Sequence, residues 1–87
     1  MSGEWTPHIL WVLSNNGPTR HGELRRRVEG ISSKVMTDRL RMLEAEGIVF
    51  RHYQPTIPPE VTYGLTELGA ELDQALRSME NIAEHWQ

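Results

Sequence analysis

The stretch GISSKVMTDRLRMLEAEG, residues 30–47, decides the fold. Within it Met36, Leu40 and Leu43 recur at helical spacing and form one apolar stripe. Ser32 stands just before that run, where a side-chain oxygen can accept from the free amides of a first helical turn. Gly47 follows the run, at the position where a helix ends in a left-handed residue. These signals predict a helix over 33–46. At about 100° per residue, Lys34, Asp38, Arg41 and Ala45 point away from the stripe, with Thr37 on the flank. The helix therefore buries one face and offers a polar, partly cationic face to whatever lies outside.

Working outward toward the N-terminus, residues 21–28 form a second short helix with Leu24 and Val28 on one side, and Glu29-Gly30 breaks it. The tight connection Glu29-Gly30-Ile31 fits a helix-turn-helix. Thr19-Arg20 is a short extended link. Before it, Asn15-Asn16-Gly17-Pro18 ends a first helix whose start is marked by Thr6 as N-cap and Pro7 in the first helical position. Ile9, Leu10 and Leu13 are its apolar stripe. Toward the C-terminus, residues 48–53 and 61–65 read as strands. Pro55, Pro58 and Pro59 stiffen a loop between them that is too long for a tight turn. Thr66 caps a last helix over 67–84, with a stripe of Leu68, Leu72, Ala75, Leu76, Met79, Ile82 and Ala83. Three helices followed by a two-stranded hairpin make a winged helix. The expected fold is mainly α with a small β-hairpin, one domain over 1–87, with an added C-terminal dimerisation helix over 66–86.

The bulk properties agree with a small paired domain. A chain of 87 residues buries a thin core, and pairing with a second copy is a common source of added stability. With no cysteine there is no disulfide, thiolate metal site or thiol sensor. No run approaches the apolar length needed to span a membrane, and a soluble, cytoplasmic protein without membrane contact is expected. The net charge of −3 is unevenly spread. Residues 20–51 hold eight of the nine Lys and Arg and carry a local charge of +3, whereas residues 60–87 carry −5. A basic middle beside an acidic end is the asymmetry that matters for a polyanion.

The segment Gly30-Ile31-Ser32-Ser33-Lys34-Val35-Met36-Thr37, with Leu40-Arg41-Met42-Leu43-Glu44 and Gly47-Ile48-Val49, resembles the HxlR-type regulators, a branch of winged-helix repressors and activators related to MarR. Pro58-Pro59-Glu60-Val61-Thr62-Tyr63-Gly64-Leu65-Thr66-Glu67-Leu68-Gly69 resembles their wing and following helix. Gly17-Pro18-Thr19-Arg20 and Glu23-Leu24-Arg25-Arg26 resemble their second helix, and Trp5 sits where the family opens its first core helix. The resemblance runs from about Gly3 to Trp86. It implies double-stranded DNA as partner, a homodimer and a role in transcription. Family members usually carry a further N-terminal segment, often with a cysteine, before the position of Trp5; this sequence starts almost there, so the thiol sensing of some relatives is not expected. Glu60 stands where the family often has a basic residue, which predicts repulsion of phosphate at the wing tip. Gln54 stands where a tyrosine is common, with Tyr53 one place earlier.

The outward face of the 33–46 helix is the part that would enter a major groove. Lys34 and Arg41 can meet guanine edges or phosphates, Thr37 a thymine methyl or a phosphate, and Asp38 either cytosine N4 or Arg41 itself. Ser32 and Ser33 suit a phosphate at the helix start. Arg26, on the second helix, points away from Leu24 and Val28 toward the DNA backbone, while Arg27 reads as solvated. Arg51 is either a phosphate contact or the partner of a nearby acid. Trp5, Leu72, Leu76, Met79, Ile82 and Trp86 are the expected dimer residues. The tryptophans, Trp11 among them, could also line a pocket for a small-molecule effector, which the sequence does not identify.

His8, His21, His52 and His85 lack metal-site spacing and read as surface or packing residues. No catalytic constellation, cofactor loop or metal set is visible, which speaks against an enzyme. The rival reading is a winged-helix module that binds protein rather than DNA, favoured by Glu60 and the acidic last helix.

Overall fold

The computed structural model describes residues 5–85. Four helices and three strands follow in the order α1 (Trp5–Asn16), β1 (Thr19–Arg20), α2 (His21–Arg27), α3 (Ser33–Ala45), β2 (Val49–Gln54), β3 (Glu60–Leu65) and α4 (Glu67–His85). The helical stripes converge on one core. Ile9, Leu10, Leu24, Val28, Met36 and Leu40 are wholly buried in it, with Leu13, Leu43, Val49 and Tyr63 nearly so. Each such side chain stabilises the fold by about 1.5–3 kcal/mol relative to exposure. This core fixes which way α3 faces.

Both ends of α3 are closed as its sequence demands. The Ser32 hydroxyl oxygen accepts the Val35 amide at 3.2 Å. At the other end the Gly47 amide donates to the Glu44 carbonyl at 3.0 Å and the Ile48 amide to the Leu43 carbonyl at 2.9 Å. This paired closure needs a left-handed residue after the last turn, and Gly47 supplies it at φ 75°.

The link at residues 19–20 does more than connect. It pairs antiparallel with β3, Thr19 opposite Tyr63 and Arg20 opposite Thr62, so the hairpin becomes a three-stranded sheet of order β1-β3-β2. Thr19 is buried; its hydroxyl donates to the Gly17 carbonyl at 2.8 Å and accepts from the Asn16 amide at 2.9 Å. β2 and β3 pair from Val49–Leu65 at the base to Gln54–Glu60 at the far end. Phe50 faces Gly64 across this ladder, and its ring fills the space that a side chain on Gly64 would take.

α4 is anchored at its start. The Thr66 hydroxyl oxygen accepts the Gly69 amide at 3.1 Å, and the hydroxyl hydrogen faces the Gly47 and Ile48 carbonyls. The Thr66 amide donates to the Ile48 carbonyl at 3.1 Å. Gly69 lies so close to that carbonyl that a methyl group there would collide with it. Farther along, Leu72 and Leu76 pack against the core, whereas Leu68, Met79 and Ile82 are exposed. Asp73 is buried and takes Arg77 Nε at 3.0 Å.

Some boundaries differ from expectation. α1 begins at Trp5, so Thr6 lies inside its first turn rather than capping it, and Pro7 is the third helical residue rather than the first. Proline is tolerated there because no first-turn amide has a helical acceptor. α2 ends at Arg27, with buried Val28 as its C-cap. β2 is shifted one residue later at both ends and β3 starts one residue earlier, since Val49–Leu65 is the first rung of the ladder and Gln54–Glu60 the last.

Candidate nucleic-acid interface

The helix-turn-helix presents α3 across the surface with α2 behind it and the sheet to one side. Ser32, Ser33, Lys34, Asp38 and Arg41 are all exposed, and Thr37 is half-buried. Between α3 and the sheet runs an open cleft of about 560 Å³, into which Thr37, Arg41, Arg51 and Tyr63 turn. Among the described residues no carboxylate comes within ion-pair distance of Lys34, Arg41 or Arg51. Arg51 instead lies over the Tyr53 ring, 5.8 Å from its centre, so the acid expected as its alternative partner is not there. Asp38 does not hold Arg41 either. It lies on the other flank of α3, beside Val35, Arg39 and Met42.

Ser32 and Ser33 open onto a second, shallower groove between α2 and the start of α3, shared with Arg25 and Arg26. Arg26 is not idle. It donates to Glu23 at 2.8 Å, and Arg27 Nε donates to the other Glu23 oxygen at 2.8 Å. The Arg26 and then the Arg27 guanidinium hold the Glu23 carboxyl below the usual carboxylate range. The Arg26 side chain remains 74% exposed, and an ion pair so placed is readily exchanged for a phosphate.

The wing corrects one expectation outright. Glu60 is not at the tip: it ends the ladder and meets Arg20 at 3.2 Å, so its charge is compensated inside the sheet. The strand pairing of residues 19–20 with β3 is what brings the two together. The tip is residues 55–59, all uncharged, with Ile57 fully exposed.

Sequence reasoning missed His21. Its Nε2 stands 3.4 Å from Thr37 Oγ1, and its ring lies 6.2 Å from that of Tyr63, at the floor of the α3–wing cleft. The available signal was weak: a histidine opening the helix that precedes the recognition helix. Of the expected dimer residues, Trp5, Leu72 and Leu76 pack on the chain's own core, Met79 and Ile82 face outward, and Trp86 lies outside the described residues. Trp11 is half exposed on α1, beside His8. Among the described residues no three potential ligands cluster to hold a metal, and no helix is long and apolar enough to cross a membrane.

A winged helix-turn-helix with exposed cations on its third helix has the architecture of the DNA-binding transcriptional regulators. The particular family is shown by comparison. The model of the HxlR-like helix-turn-helix matches residues 1–87, and the chain belongs to that family. The regulatory protein MalR of Fusobacterium mortiferum is 39% identical over 79 residues, covering 91% of this chain and 74% of MalR. The HTH-type transcriptional regulator YkvN of Bacillus subtilis is also 39% identical over 79 residues, covering 91% of this chain and 66% of YkvN. Among solved structures, a MarR-family regulator from Enterococcus faecalis superimposes with a TM-score of 0.86 at 39% identity, covering 97% of this chain and 76% of that one. The reduced form of YodB from B. subtilis gives 0.81 at 36% identity, covering 92% and 78%. The chain thus spans about two thirds to three quarters of these relatives.

Proposed function

We propose that this protein binds a pseudo-palindromic operator as a homodimer and regulates transcription from the cytoplasm. The observation that carries the reading is the convergence of unpaired Arg41 and Arg51 with Thr37 on the cleft between α3 and the wing. In this reading α3 lies in the major groove, where Arg41 and Lys34 meet guanine edges or phosphates and Thr37 a thymine methyl or a phosphate. Asp38, on the opposite flank, accepts from cytosine N4. Ser32, Ser33 and Arg26 meet the backbone beside α2, and Arg51 meets it from the wing.

The dimer is built on residues 66–86. Met79 and Ile82 are apolar yet exposed, next to Leu72 and Leu76, and a second copy of the same helix would cover them. A two-fold arrangement sets the two α3 helices roughly 34 Å apart, one turn of duplex. The test is a titration against genomic and arbitrary DNA fragments over a range of salt. The expected result is a steep fall of affinity with salt, with a subset of genomic fragments bound more tightly. Absence of binding at low salt would leave a protein-binding winged helix as the better account.

A further inference from the structure

We infer that His21 is a DNA-backbone contact whose proton is taken up when DNA binds, so that affinity for DNA of any sequence rises as pH falls. The inference rests on the DNA-binding reading above and adds a residue and a condition to it. His21 links three parts of the interface: it opens α2, reaches Thr37 on α3 and packs beside Tyr63 on β3. It borders three grooves of this surface: the α3–wing cleft, the α2–α3 groove, and the one between α2 and the wing.

The charges around His21 set the sign. In the α3–wing cleft Arg41 and Arg51 face it, together with Glu44. In the α2–α3 groove Arg25 and Arg26 face it, with Glu29. Toward the wing the charges are Arg20 and Glu60, which pair with each other, and Glu23, which is taken by Arg26 and Arg27. The cations of the first two grooves draw a phosphate to this surface. A phosphate held beside His21 attracts the imidazolium directly, so protonation and backbone contact support each other. Histidine is the side chain whose charge changes most readily between about pH 5 and pH 8, so the coupling falls in an accessible range. Linkage then requires that binding take up protons and that protons strengthen binding. Among the described residues only Nε2 is engaged, by a long contact to a hydroxyl that can serve as donor or acceptor, so both protonation states are accommodated.

The experiment measures the affinity of the whole protein for a short fluorescent duplex of arbitrary sequence at fixed ionic strength from about pH 8 to pH 6. The wild type is expected to tighten by about threefold to tenfold over that range. His21→Gln, which keeps a polar group near Thr37 and does not titrate, is expected to lose most of the pH slope, whatever its affinity at the alkaline end. His52→Gln, on the exposed strand β2, is expected to keep the slope. Thermal melts establish that both variants fold. A slope retained by His21→Gln, or abolished by His52→Gln, overturns the inference and leaves the DNA-binding reading intact. A wild type that binds no DNA at any pH overturns that reading itself.

Discussion

The recognition helix α3 and the last helix α4 each bury one apolar face against the same core, yet their outer faces could hardly differ more. Residues 20–51, which include α3, carry a charge of +3, and residues 60–87, which include α4, carry −5. On α3 the exposed face holds Lys34 and Arg41, which have no ion-pair partner among the described residues. On α4 it holds Met79 and Ile82, 63% and 58% exposed, and the one arginine there is taken by buried Asp73. Amphipathicity alone therefore does not tell what a helix is for. The residues that the core leaves over do: cations suit a polyanion, and an apolar remnant suits another protein surface.

The sharpest way to break this contrast is to charge the apolar remnant. Met79→Asp combined with Ile82→Asp is expected to convert the dimer to a folded monomer, because neither side chain supports the core. Operator affinity should then drop by about 10²–10⁴ through loss of the second half-site. Sedimentation and DNA titration read both effects, and a variant that still sediments as a dimer would remove α4 from the interface.

Next in size is the opposite helix. Arg41→Ala is expected to cost about 1–3 kcal/mol on the operator and to relax preference at one base pair, with the melting temperature unchanged. An equal loss on every sequence would make Arg41 a backbone contact instead.

A smaller effect tests the cations held in reserve. Glu23→Gln releases Arg26 and Arg27 and is expected to tighten binding to arbitrary DNA a fewfold at low salt, while Arg26→Ala should lower the salt slope by about one. Glu23 has its carboxyl depressed by these arginines, so its small contribution to stability is present above the ordinary carboxylate pKa and lost as pH falls through the lower folded value. An acid titration of the Glu23→Gln variant should show a shallower decline than the wild type.

The smallest expected effect is none. YodB has been solved in reduced and diamide-treated forms and HypR, described as a redox regulator, in oxidised and reduced forms. This chain has no cysteine, so diamide should leave its DNA affinity unchanged. Release by peroxide but not by diamide would point to an exposed methionine, Met42 or Met79.

Much of this architecture was legible in the sequence because its signals are local. The Ser32 cap, the Gly47 stop and the Met36, Leu40, Leu43 stripe each lie within a few residues of what they specify. What was not legible depends on distant partners. Two residues at 19–20 are too short to show strand periodicity, and their pairing with β3 depends on a segment some forty positions away. The same pairing brings Arg20 to Glu60, which turned a supposed repulsive wing tip into a compensated ladder end. His21 meets Thr37 sixteen residues on, across a turn whose angle no periodicity reports. The stripe of α4 gave a direction, but not the place where the core stops: Leu72 and Leu76 touch it, and Met79 and Ile82 lie beyond.

The seat of α4 on the α3–β2 turn behaves as a welded corner rather than a hinge. Thr66 clasps the carbonyls of Gly47 and Ile48, and Gly69 lets the helix backbone sit directly on the second of them. A tilt of α4 would bear directly on the Ile48 backbone, next to the residues that close the C-terminal end of α3. In a dimer joined through α4, the separation of the two reading heads is accordingly set like the jaws of a calliper. A ligand that shifts the helix pair by a small angle need not approach the DNA-binding surface to spoil its fit to the duplex.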